Sequence, residues 1–132
     1  MQTFLPYKDF ARSASVLDDK RLGNQRNEAK IILDTLRGKT SGWKNHPAVK
    51  MWKGHLNALK MYYNAIVAEW IMRGHKNRMP FEIISGKVVM PEWLGRKAFH
   101  DAHKSNLLRK NPAWYKQFGW KIPNDLEYVW PE

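Results

Sequence analysis

The side chains best suited to chemistry gather late in the chain. From position 100 the sequence offers His100, His103, Lys104, Ser105, Asn106, Arg109, Lys110 and Asn111 within about three helical turns. Imidazole, amide, hydroxyl and guanidinium groups at this density can all hydrogen-bond phosphate oxygens. Trp114, Tyr115 and Lys116 follow, then Phe118 and Trp120. Cations interleaved with rings suit a partly unstacked nucleic acid, because an exposed base has a face on which a ring can stack. A solvated helix end beside a core aromatic cluster fits the same composition. His100 and His103 also have the spacing of two metal ligands on one helix face, but no third ligand completes a familiar pattern. No metal and no cofactor is therefore expected. Glu28 is the carboxylate of interest nearer the start. At the turn of an α-helix it lies about 90° from the centre of an apolar stripe, with Arg21 and Asn24 on the same flank. There it can look into a cleft without being buried unpaired, or pair with Arg21 on a solvated surface.

Three helices must position these groups. The first is expected to begin between Ser13 and Asp18 and to run to about Leu36, with Leu22, Ala29, Ile32, Leu33 and Leu36 facing the core and Gly38 as the stop. The second is bounded by Pro47 and Gly74, with Val49, Trp52, Leu56, Leu59, Tyr63, Ile66 and Trp70 stepping by three and four. Its rings are read as packing. The third follows Pro91 and ends near Lys110, before Pro112. Between the last two, Phe81 to Met90 is either a small hairpin or a packed loop. The remainder, Pro112 to Glu132, predicts one short helix and then an extended tail across the body. The fold class is all-α: a compact bundle of three main helices with an aromatic-rich C-terminal segment, forming one domain over 1–132.

Composition narrows the partner. Lys and Arg number 23 against 12 Asp and Glu, a formal net charge of +11. Such an excess points to a polyanion, nucleic acid before an acidic membrane surface. Seven Trp, five Tyr and five Phe exceed what a small core can absorb, which leaves rings for a ligand. The absence of cysteine excludes disulfides, thiolate nucleophiles and cysteine metal sites. No signal-like start and no run of ~18 apolar residues is present, so the expected location is the cytoplasm, in association with the nucleoid. Phosphate-cradling glycine loops, nucleophile elbows and zinc-deaminase patterns are missing.

Leu17 to Ala29, Ala68-Glu69 with Arg73-Gly74, and Asn111-Pro112-Ala113-Trp114-Tyr115-Lys116 with Phe118-Gly119 occur in the order and separation of one known family. The chain resembles the pyrimidine-dimer DNA glycosylases of the phage endonuclease V type. Its MQTFLPY, FHDAHKSNLLRKNPAWY and YVWP segments look like a bacterial and phage branch grouped with them. The resemblance implies a small all-helical enzyme whose nucleophile is the N-terminal α-amine. An α-amine is a far weaker base than lysine, so at neutral pH much more of it is free to attack. The amine expels the base from the sugar and leaves a Schiff base. A carboxylate, here Glu28, stabilises the developing cation and moves protons during strand cleavage. Relatives expose a small residue after the initiator is removed. Here the bulky Gln2 protects the initiator, which assigns the amine to Met1. Asn27 stands where the family carries an arginine beside its glutamate.

The reading implied is a DNA repair glycosylase with AP-lyase activity, acting as a monomer on damaged or distorted double-stranded DNA. Met1 and Glu28 are its catalytic pair. Arg21, Arg26, His100, His103, Asn106, Arg109, Lys110 and Lys116 contact DNA, and Trp114 and Tyr115 flank the distorted site. The alternatives are a non-catalytic DNA-binding module on the same scaffold, and a glycosylase or modifying enzyme for another base.

Overall fold

Two helices from the first half of the chain form the frame. The computed structural model describes residues 1–131 and is all-helical, with no strand among the described residues. In chain order it has α1 (Phe10–Val16), α2 (Asp19–Leu36), α3 (Pro47–Lys50), α4 (Leu56–Met72), α5 (Lys97–Lys110) and α6 (Pro112–Tyr115), then a 3-10 turn over Lys116–Phe118. The α2 stripe of Leu22, Ala29, Ile32 and Leu33 is buried against α4, whose Leu59, Tyr62, Tyr63, Ile66 and Val67 face it. α1 packs on α4 as well. No described helix is long and apolar enough to cross a membrane.

The three expected helices are each divided or shortened, and in each case a local cause is visible. The first is two. Asp9 caps α1 by accepting the Arg12 amide at 3.0 Å, and α1 ends where Leu17 turns extended. Asp18 then opens α2 without capping it, because its carboxylate serves the Tyr115 hydroxyl at 2.5 Å and Arg21 at 3.1 Å. The second expected helix breaks after Lys50, where the chain needs a left-handed residue and Gly54 (φ +84°) supplies it. Gly74 closes α4 with φ +87°, as its position implied. The third starts later than Pro91. Residues 91–96 form turns that bury Trp93 and Leu94, and α5 begins at Lys97.

The segment from Phe81 to Met90 is a packed loop and not a hairpin. Its backbone is satisfied by α4 side chains one turn apart. Asn57 donates to the carbonyls of Ser85 and Lys87 at 2.9 Å each, Lys60 to Ile83 at 3.0 Å, and Asn64 exchanges two bonds with Glu82. A helix face that offers amides at this spacing replaces the ladder a second strand would give. Glu82 is fixed in turn by Arg37 and Lys30, which hold its carboxyl at about 2.

What the helices enclose is the start of the chain. Gln2, Thr3, Phe4 and Leu5 belong to no helix yet are buried. Buried backbone without secondary structure must find partners elsewhere. Here they are side chains of α2, α4 and α5. The Phe4 amide donates to Gln25 Oε1 at 3.0 Å, and its carbonyl lies 2.9 Å from the Tyr62 hydroxyl, whose one proton is shared between that carbonyl and Gln25 Oε1. The Leu5 amide donates to His103 Nδ1 at 2.9 Å, and its carbonyl lies 2.7 Å from His100 Nδ1. Gly95 donates to His100 Nε2, so the proton of that ring sits on Nδ1 and is given to Leu5. The two imidazoles are thus opposite neutral tautomers clamped on one residue.

That clamp predicts a pH dependence. Burial pushes His103 down to about 3. Its unfolded value is about 6.5, so stability is full above that pH and is lost as pH falls from there toward 3. One such group costs about 1.4 kcal/mol between roughly pH 7.5 and 5.5. Urea denaturation at the two pH values should show His103→Asn losing less on acidification than the parent, by about that amount. Equal losses would contradict the clamp.

Candidate active site

The enclosed N-terminal segment delivers its first residue to a cleft of about 280 Å³. Met1, Gln2 and Phe4 form one wall, and Lys20, Arg21, Asn24 and Glu28 of α2 form the second. Lys110, at the end of α5, and Tyr128, in the C-terminal tail, close the rest. Glu28 is half-buried and belongs to none of the ion pairs among the described residues; Arg21 turns instead to Asp18. The Glu28 carboxylate accepts a bond from Gln25 Nε2 at 2.7 Å. Desolvation raises its pKa above the ordinary carboxylate value. The amino terminus, the Gln2 backbone, the Gln25 amide and Lys110 pull the other way. The result is one carboxylate facing the chain's amine in a rim of cations.

Gln25 joins the two walls. Fully buried, it uses every hydrogen-bonding position of its amide. Oε1 accepts the Phe4 amide and lies 2.5 Å from the Tyr62 hydroxyl, while Nε2 donates to the Gln2 carbonyl at 2.8 Å and to Glu28. The side chain that fixes the Met1 segment therefore also aims the carboxylate at it. Neither Gln25 nor Tyr62 stands out as a functional residue in the sequence. The available signal is that Gln25 falls three residues after Leu22 and four before Ala29, a polar residue on an apolar stripe.

Of the residues singled out from sequence, the fold brings Met1, Glu28, Arg21 and Lys110 together. It turns others into the fold. His100 and His103 are buried with their nitrogens turned to Leu5 and Gly95, and His103 Nε2 has no hydrogen-bond partner among the described residues. Asn106 is buried and donates to the carbonyls of Ala102 and Leu126. Tyr115 is buried, with its hydroxyl on Asp18. These four side chains are turned into the fold; the uncharged polar residues of α5 lie on its inner side. Arg26 projects to the opposite side of α2 from Glu28, stacking 4.2 Å from the Trp70 ring and donating to Asn77 at 2.9 Å. Arg109 is exposed but anchors the tail through the Asn124 carbonyl at 2.7 Å. Trp114 and Lys116 are exposed and lie outside the cleft, with the Trp114 indole N–H held by the Val16 carbonyl at 2.8 Å.

The family model of the pyrimidine dimer DNA glycosylases matches residues 1–83, a span that contains the amine-bearing segment, Gln25, Glu28 and α4. The chain belongs to that family. Membership makes it a DNA glycosylase relative with DNA as its substrate class. No curated protein and no solved structure matches the chain. In this glycosylase-family chain two lining residues of the cleft, Lys110 and Tyr128, come from beyond the matched residues.

The balance of forces on Glu28 is measurable. Followed by carboxyl-carbon NMR, Glu28 should titrate above the usual carboxylate value of about 4.3. Lys110→Ala, an exposed change, should move it further up by removing a favourable charge, and Gln25→Met should move it up again by removing a donor to the charged form. Gln25→Met also orphans buried groups, at about 1–3 kcal/mol each. A midpoint at or below the usual value would contradict the desolvated cleft.

Proposed function

We propose that this protein is a DNA repair glycosylase with AP-lyase activity, working through the α-amine of Met1. The observation that supports it is the meeting of Met1 and Glu28 in one cleft with Lys20, Arg21 and Lys110 around it. The amine lone pair bonds to the sugar carbon that bore the base, and the pair of the glycosidic bond leaves with the pyrimidine, which takes up a proton. The nitrogen then gives up a proton, its lone pair opens the bond from that carbon to the ring oxygen, the oxygen takes up a proton, and the Schiff base so formed acidifies the neighbouring sugar carbon. Loss of that proton expels the phosphate at the adjoining position and breaks the strand. Glu28, negative and desolvated, stabilises the cationic intermediate and carries the proton. The three cations hold the flanking phosphates in register, as contacts that position without reading sequence. The lesion is a pyrimidine dimer or a similarly destabilised site, because extracting a base costs least where stacking is already weak. Action on a different damaged base is the second reading, favoured by the two lining residues, Lys110 and Tyr128, that lie outside the family match. The protein acts as a monomer on distorted duplex, where the DNA is.

Nicking of ultraviolet-irradiated plasmid tests the proposal. The parent protein should nick irradiated but not intact plasmid. Glu28→Gln keeps size and hydrogen bonding and should lower the rate by about 10²–10⁴-fold with binding retained. A few residues added before Met1 should fill the cleft and abolish nicking. Full-rate nicking by the extended protein would exclude the amine, and a parent that binds but never nicks would favour a binding module.

A further inference from the structure

A second cleft, which the mechanism above does not use, lies next to the first. Its volume is about 630 Å³, and its lining combines Pro47, Val49 and Trp130 with Lys44, Lys50 and Lys53. Among the described residues no acidic side chain lines it, and none pairs with these three lysines.

A row of rings joins the two clefts. Tyr128, in the wall of the Glu28 cleft, packs 5.6 Å from Trp130. Trp130 meets His46 edge-on at 6.0 Å, and His46 meets Trp43 edge-on at 5.9 Å. The row ends at Trp43, which keeps 47% of its surface in solvent. His46 is fixed in the row by capping α3, its Nδ1 accepting the Ala48 amide at 3.0 Å. Its protonation is depressed by burial and then by the charge of the amino terminus. Trp43 belongs to neither the core nor its partly buried fringe.

We propose that this cleft and its ring row bind an unpaired stretch of DNA strand beside the Glu28 cleft, with bases on Trp43 and Trp130 and phosphates on Lys44, Lys50 and Lys53. An intact duplex presents phosphates but keeps its base faces covered by their neighbours, so it satisfies the lysines and leaves the indoles without a partner. An unpaired strand presents both, and base–ring stacking tolerates any sequence. An acidic peptide would meet the charge alone. The inference rests on the DNA-directed reading above but not on the amine chemistry.

The probe is a short dye-labelled oligothymidylate, titrated by fluorescence anisotropy. It is compared with an intact duplex carrying as many phosphates and with an abasic strand of the same length. Oligothymidylate should bind tightest. Trp43→Ala should weaken it about tenfold, as expected for the loss of one stacked base, with the duplex affinity unchanged. Replacing Lys50 and Lys53 with Ala should reduce its log–log salt slope by about 1.4. Circular dichroism checks that Trp43→Ala, a surface change, keeps the helical content. Equal binding of the abasic strand, equal weakening of the duplex by Trp43→Ala, or equal competition by polyglutamate would each overturn the proposal. The N-terminally extended protein should bind oligothymidylate as the parent does, so a failure of the amine mechanism and a failure of this site are separable.

Discussion

The buried amide of Gln25 is the interaction on which the site depends. An extended segment threaded through a helical core carries backbone donors and acceptors that no neighbouring strand satisfies, and each one left unpaired is costly. Gln25 satisfies one donor and one acceptor of that segment and fills its remaining positions with Tyr62 and Glu28. The residue that makes burial of the N-terminal segment tolerable thus also sets the carboxylate. His103 and His100 repeat the device one residue further on, around Leu5. The Trp52 indole adds a bond to the Thr3 hydroxyl at 3.0 Å. The geometry of the cleft in this fold is a by-product of satisfying a buried backbone, which is why it can be held by rigid helices although Met1 itself belongs to none.

Charge then divides the work. The molecule carries a large cationic excess, yet its ion pairs are concentrated away from Glu28, at Glu82 with Arg37 and Lys30 and at Arg73 with Glu69 and Asp19. Arg21 is turned aside by Asp18, and Asp18 is held in place by Tyr115. Glu28 is left facing the amine and Lys110 without a close cation to neutralise it. A carboxylate kept unpaired and partly desolvated interacts strongly with any positive charge that develops beside it. The family match to residues 1–83 covers Glu28, Arg21, Asp18 and the two ion-pair groups, while Tyr115, Lys110 and Tyr128 come from beyond it.

Much of this was legible in the sequence. The apolar stripes on α2 and α4 gave the frame, and the flank position of Glu28 gave its outlook, because both follow from helical periodicity alone. The helix breaks were less legible, since Gly54 sits in a pattern whose hydrophobic steps continue through it. His100 and His103 have the spacing to act as a pair, but both rings point inward. What they bind is the backbone of Leu5, more than ninety positions away, and a partner without a distinctive side chain leaves no mark in the sequence. Asn106 and Tyr115 turn inward to other partners, Asn106 to the carbonyls of Ala102 and Leu126 and Tyr115 to the Asp18 carboxylate. Gln25 left the one available signal, a polar residue on an apolar stripe.

The central claim is that the buried segment presents the amine of Met1, and no lysine, to the sugar. The most direct measurement is the identity of the protein atom bonded to DNA after borohydride reduction, read by mass mapping of the proteolysed adduct. A single modified peptide that begins at the first residue, with the mass carried on its α-nitrogen, is the expected result. Modification of the peptide carrying Lys110 or Lys20 in its place would contradict it.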